Sequence, residues 1–373
     1  MIYLDNGATS FPKPPEVCRA MCRALCTCAS PGRGGYPAAM EAGRVVFGCR
    51  ERAAALFDCE AEQVVFTASC THGLNMAIRT LVKRGTRVVI SGFEHNAVTR
   101  PLHLLGAEVI VAGRRLFDWA DTLTEFEKAL RGGAEAAVFT HVSNVFGYIL
   151  PVEQMAELCR RYQVPFIVDA AQSAGMLPVS LKKLGADFIA MPGHKGLLGP
   201  QGTGILLCGR VPQVLLAGGT GSESRNPKMP DFLPDRAEPG TLNVPGIAGL
   251  SAGIACVQRQ GVEAILKREQ ALVRRCVPIL EQRGFRVFSG AHQSGTVSFV
   301  PETDCEEFAE KLAGRGIAVR AGLHCAPLAH ESAGTLETGT VRISFGHNTE
   351  AEQLKAVFRE FRGKSGVKQN YFY

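Results

Sequence analysis

The chain lacks the features that would place it at a membrane or on nucleic acid. Its start, Met1-Ile2-Tyr3-Leu4-Asp5, carries no basic stretch and no long apolar run, so no secretory signal is expected. No apolar run reaches the roughly 20 residues needed to cross a bilayer. Lysines and arginines exceed acids by 41 to 35, but no basic block is longer than pairs such as Arg114-Arg115. Nucleic-acid binding needs a concentrated basic stripe, so that class is set aside. The 13 cysteines show no Cys-x-x-Cys pair and no disulfide-like framework, which removes the usual metal-ligand spacing. A reducing cytoplasm with free thiols is the expected setting. Cys18, Cys22 and Cys26 recur at i, i+4 and i+8, with Cys28 nearby. That spacing predicts a helix with small apolar thiols on its buried face.

What is present is the composition of a soluble enzyme, 46% apolar and 20% charged over 373 residues. That length suits one large and one smaller domain. A basic balance suits anionic substrates and a phosphate-bearing cofactor. Between residues 64 and 208 short apolar runs alternate with helical patterns. The runs are Val64–Phe66, Arg87–Ser91, Glu108–Ala112, Ala136–Val142, Pro165–Asp169, Asp187–Met191 and Gly204–Cys208. Helices are predicted at Leu74–Lys83, Thr122–Arg131 and Val152–Tyr162. The pattern reads as an α/β fold, a mostly parallel sheet covered on both faces, with ligands at the strand carboxyl ends. Leu216–Pro245 reads as a long functional loop. Beyond it, a helix at Gly253–Gln282 precedes strands at Phe285–Ser289, Thr296–Val300 and Val341–Phe345. Helices at Cys305–Arg315 and Thr349–Phe361 complete a smaller α+β domain. The division is placed at 1–250 and 251–373, with segment 1–14 contributing to the small domain or the active site.

Two residues at strand ends carry the first chemical signal. Lys195 lies in the glycine-flanked run Met191-Pro192-Gly193-His194-Lys195-Gly196, and Asp169 closes Phe166-Ile167-Val168-Asp169. One crossover unit separates them, so both can flank one planar ligand. A Schiff-base lysine and a carboxylate aimed at a pyridinium nitrogen are what pyridoxal phosphate requires. An adjacent carboxylate keeps that nitrogen protonated. The run Phe66-Thr67-Ala68-Ser69-Cys70-Thr71-His72-Gly73 supplies a strand, a small-residue turn and a helix start, the usual cradle for phosphate. Arg320-Ala321-Gly322-Leu323-His324-Cys325-Ala326-Pro327 places a thiol in a loop with His and Arg neighbours, which favours the nucleophilic thiolate.

Taken together, these motifs resemble the class V aminotransferase family of fold-type I pyridoxal-phosphate enzymes, and within it the cysteine desulfurases. The resemblance runs from Tyr3-Leu4-Asp5-Asn6-Gly7-Ala8-Thr9 to Arg342. It implies Lys195 as the cofactor lysine and His95 as the ring-stacking proton relay. It also implies Gln172 at the phenolate oxygen, Asn144 near the cofactor oxygen and the substrate, and Cys70, Thr71 and His194 at the phosphate. Thr241, in Glu238-Pro239-Gly240-Thr241, would reach the partner subunit's phosphate in a homodimer. Arg342 would clamp the substrate carboxylate with its planar fork, and Arg320 would assist it. Pro192 stands where the family often carries a hydroxyl. Cys325 would take sulfur from L-cysteine as a persulfide, releasing alanine. Its short loop resembles the Suf-type branch and implies a dedicated sulfur-acceptor protein, with iron–sulfur cluster assembly among the destinations. Selenocysteine lyase and cysteine sulfinate desulfinase share the same site, and a non-catalytic scaffold is the alternative of another class.

Overall fold

The structure, a computed structural model, describes residues 1–360 apart from residue 33. Phe361, the expected end of the last helix, lies outside the described residues. The alternating runs form one seven-stranded sheet. Its order is Val64–Thr67, Gly204–Cys208, Phe188–Pro192, Phe166–Asp169, Ala136–Thr140, Arg87–Ser91, Glu108–Ala112. Gly204–Cys208 alone runs antiparallel to its neighbours, and the other contacts are parallel. Alternate residues of each strand enter opposite cores. Phe139, Val168 and Ile189 join one cluster, while Val138, Ile167 and Ala190 join the other. Each large side chain so buried contributes roughly 1.5–3 kcal/mol, which explains why these strands are apolar throughout rather than alternating.

The second sheet has four antiparallel strands in the order Arg320–Gly322, Thr340–Ser344, Thr296–Val300, Arg286–Phe288. Helices Val262–Gln282, Cys305–Ala313 and Ala351–Glu360 accompany it. The N-terminus belongs to this layer. Ile2–Tyr3 pairs in parallel with Ile317–Ala318, and Leu4 is fully buried in the same core.

Several expectations need correction. The helix predicted at Gly253–Gln282 is two helices, Val244–Gln260 and Val262–Gln282, broken at Gly261 with φ +80°. The helix predicted from Thr122 starts at Trp119, because the Asp118 side chain accepts the Asp121 amide at 2.9 Å and caps it there. The helix predicted from Leu74 starts at Cys70, capped by Ser69. The thiol stripe is reversed: Cys18, Cys22 and Cys26 are exposed on helix Pro15–Thr27, and Val17 and Ala24 are its buried residues. A competing stripe wins, because Val17, Met21, Ala24 and Cys28 also follow helical spacing. Met21 reaches the small Gly249 of helix Val244–Gln260.

The 21-residue helix Pro37–Phe57 escaped the sequence reading. Its buried face is built from Ala39, Ala42, Val46, Cys49 and Ala53, with glycines at 43 and 48, so its apolar contrast is weak. It also buries Arg50, which pairs with the buried carboxylate of Glu238. Glu238 accepts the Phe66 amide at 2.5 Å as well. The Glu238–Asn243 loop is thereby tied to the edge of the main sheet.

Candidate active site

The carboxyl ends of the central strands face the second sheet across a cavity of about 260 Å³. Thr140, Asp169 and Pro192, each the last residue of its strand, form part of its wall. Eleven expected site residues line it: Cys70, Thr71, His95, Asn144, Asp169, Gln172, His194, Lys195, Arg320, Cys325 and Arg342. Thr241 does not. Within one chain it lines a separate groove with His72 and Glu238.

Lys195 follows strand Phe188–Pro192 in a turn packed against the chain after Asp169. A Cβ on Gly196 would lie 2.3 Å from the Ala174 carbonyl oxygen, and Gly175 takes φ +85°. Only glycines allow that approach. Burial draws the Lys195 ammonium below its ordinary range, and Asp169 partly restores it. Asp169 is itself raised by burial, an effect opposed by hydrogen bonding and by Lys195. Its Oδ1 accepts the Ala171 amide at 2.9 Å and the Cys70 thiol at 3.5 Å. Its Oδ2 has no partner among the described residues.

Helix Cys70–Leu81 begins at this cavity. Ser69 caps it by accepting the His72 amide at 3.1 Å, and the Ser69 carbonyl takes the Gly73 amide. The amides of Cys70 and Thr71 are left to an anion. His95 caps helix Asn96–Leu105, its Nδ1 accepting the Ala97 amide at 3.0 Å. Nε2 therefore carries the proton of the neutral ring. Burial, then the Lys195 charge, lower its pKa to about 4. His194 is likewise lowered to about 4, chiefly by burial. Its carbonyl accepts from Ser10 N, Thr9 Oγ1 and Lys13 Nζ, so the N-terminal segment clamps the turn before Lys195. Gln172 donates to the Gly7 carbonyl at 2.9 Å.

The thiol stands at the opposite rim. Cys325 is exposed, while His324 and Cys325 take φ +49° and +57°, left-handed values that non-glycine residues rarely adopt. The loop is held from two sides. Asn144 Nδ2 donates to the His324 carbonyl at 2.8 Å, and the Asn96 amide donates to the Cys325 carbonyl at 2.8 Å. The loop's backbone is thus anchored to Asn144 and to Asn96, the residue after His95. Asn144 Oδ1 remains without a partner among the described residues.

Arg342 is only 1% exposed, so its charge must be paired. Nη2 meets Asp5 Oδ1 at 2.6 Å and Nη1 donates to the Asn144 carbonyl at 2.9 Å. Nε is without a partner. Arg320 Nε lies 3.8 Å from the other oxygen of Asp5. Asp5 was missed as a site residue. It sits in the quoted run Tyr3–Thr9, but no spacing rule links residues 337 positions apart. His324, mentioned only as a neighbour of Cys325, also lines the cavity.

These groups fit pyridoxal phosphate: an open helix start for phosphate, a free carboxylate oxygen for the ring nitrogen, and a buried lysine whose pKa is drawn below its ordinary range. The orphaned Asn144 Oδ1 adds one polar atom in need of a partner. The comparisons agree. The family model for class-V aminotransferases matches residues 2–357. A "Probable cysteine desulfurase" of Methanothermobacter thermautotrophicus is 31% identical, covering 95% of this chain and 92% of the relative. Another, of Pyrococcus abyssi, is 33% identical with the same coverage. The apo structure of a cysteine desulfurase from Thermococcus onnurineus superimposes with a TM-score of 0.88 at 32% identity, covering 96% of this chain and 93% of that one. The chain belongs to the class-V aminotransferase family.

Proposed function

We propose that the chain is a pyridoxal-phosphate-dependent cysteine desulfurase that converts L-cysteine to L-alanine and carries the released sulfur on Cys325. One observation supports this most directly. An exposed thiol, held in a left-handed loop, shares a cavity with the Lys195–Asp169 pair. When bound, pyridoxal phosphate supplies an electron-withdrawing ring that weakens bonds at the α-carbon of an amino acid. The protein does the rest. With the cofactor bound, Asp169 Oδ2 would keep the ring nitrogen protonated, the Cys70 and Thr71 amides with His194 would hold the phosphate, and Gln172 would serve the phenolate oxygen. Arg342, with Arg320 beside it, orients the substrate carboxylate, which must share the guanidinium with Asp5.

Lys195 takes the α-proton, favoured by a pKa below that of a free amine. The Cys325 thiolate attacks the substrate sulfur and a sulfur–sulfur bond forms. The carbon–sulfur bond breaks with its electron pair left on carbon, and two protons complete alanine: the one the Cys325 thiol gave up on becoming thiolate makes the methyl group, and the one Lys195 took returns to the α-carbon. The reading includes a homodimer in which Thr241 reaches the partner's phosphate. It also includes a sulfur-acceptor protein, as in the Suf-type branch, serving iron–sulfur cluster assembly. The pinned Cys325 loop favours such an acceptor, because a thiol that cannot travel must be visited.

A sulfide and alanine assay with L-cysteine, L-selenocysteine and cysteine sulfinate tests the reaction. Equal molar release of alanine and reducible sulfur from cysteine is the expected result. Release from selenocysteine or the sulfinate alone would move the assignment to those lyases.

A further inference from the structure

We propose that Cys70 is a positioning residue for Asp169, its thiol donating a hydrogen bond that holds the carboxylate with one oxygen turned to the cofactor ring nitrogen. This rests on the cofactor reading and deepens it. The residue was expected at the phosphate, and its amide remains suited to that. Its side chain goes elsewhere. Cys70 is the first residue of helix Cys70–Leu81, and that helix start is fixed by its packing on the sheet: a Cβ on Gly73 would stand 3.4 Å from the Ala190 side chain. From there the Cys70 thiol reaches across to the end of strand Phe166–Asp169 and meets Asp169 Oδ1 at 3.5 Å.

Both protein donors, the thiol and the Ala171 amide, converge on Oδ1. Oδ2 is thereby left for the ring. A carboxylate is symmetric until its surroundings distinguish its oxygens, and here the thiol helps do so. Cys70 is buried beside Asp169, which pushes its pKa well above the ordinary thiol value, with Lys195 opposing only in part. The group therefore stays S–H, a donor, and adds no second negative charge next to Asp169. A thiol is also a weak donor. It orients Asp169 while withdrawing less of its basicity than a hydroxyl would, which leaves the other oxygen a strong acceptor for a ring N–H. The same burial keeps Cys70 from competing with Cys325 for sulfur.

The test compares Cys70→Ala with Cys70→Ser in the holoenzyme, using two readouts besides turnover. The first is the rate of cofactor loss on dilution. The second is the nitrogen-15 chemical shift of ring-labelled pyridoxal phosphate, which reports the ring proton. Cys70→Ala should lose cofactor about tenfold faster, the scale of one hydrogen bond to a charged group, and its ring nitrogen should move toward the unprotonated shift. Cys70→Ser, which keeps a donor at nearly the same place, should stay within about twofold of the parent, because the bond is replaced rather than lost, and should keep the protonated shift. A parent-like Cys70→Ala would overturn the proposal. So would a serine variant as impaired as alanine, since that would trace the effect to packing. If neither protein carries pyridoxal phosphate when the parent is purified, the cofactor reading itself fails, a different result from either of these.

Discussion

Cys70 and Cys325 line one cavity and differ in burial, in hydrogen-bond partners and in backbone conformation. Cys70 is buried at the start of a helix, hydrogen-bonded to a carboxylate and pushed toward the neutral thiol. Cys325 is exposed, in a strained loop whose carbonyls are anchored by Asn96 and Asn144. Burial beside an anion makes a thiol a structural donor, and exposure at a cavity mouth makes it available as a nucleophile. The contrast extends to the two ends of the site. The floor, around Lys195 and Asp169, is built at strand ends and is buried. The rim is built from loops and from the N-terminal segment.

The largest effect should come from the floor. Lys195→Ala should lower turnover by about 10⁴-fold or more, on the scale seen for a central catalytic group, and remove the absorbance of the lysine-bound cofactor. Comparable activity in that variant, measured by alanine release, would dissolve the distinction between floor and rim. A second substitution tests whether the loop below the site depends on a buried ion pair. Glu238→Ala leaves Arg50 buried and unpaired, which should cost about 3–5 kcal/mol in urea unfolding.

A smaller effect concerns Glu269, which is 2% exposed, has an Oε2 without a partner, and is raised by burial to about 8. Because the folded pKa lies above the unfolded one, folding favours the protonated acid. Its contribution is intact below the ordinary carboxylate range and is lost as pH rises toward 8. Glu269→Gln should therefore raise the melting temperature at pH 8 by about 1 °C for each kcal/mol relieved, with little change at pH 4. An equal shift at both pH values would assign the effect to packing.

The sheet was legible because its central strands are buried on both faces and nearly continuously apolar, and Arg87–Ser91, Gly204–Cys208 and even the more exposed edge strand Glu108–Ala112 match their expected limits. The floor was legible for the same reason, since Asp169 ends such a strand and Lys195 lies three residues beyond the end of another. Pro37–Phe57 was not, because its buried face is mostly alanine with one arginine and only Val46 and Phe57 as larger apolar residues, which leaves little periodicity in hydrophobicity. The thiol stripe misled because two helical stripes coexist on Pro15–Thr27, and only packing on Val244–Gln260 chooses between them. Asp5 was invisible because its partnership with Arg342 joins the two ends of the chain.

The most direct test is mass spectrometry of the parent after addition of L-cysteine, set beside Cys325→Ala. The account predicts one extra sulfur atom on the peptide holding Cys325. It also predicts that the alanine variant keeps the cofactor spectrum while sulfur release falls by about 10³-fold or more. Sulfur found instead on Cys70 or on the exposed Cys18–Cys26 helix, with Cys325 unmodified, would contradict it.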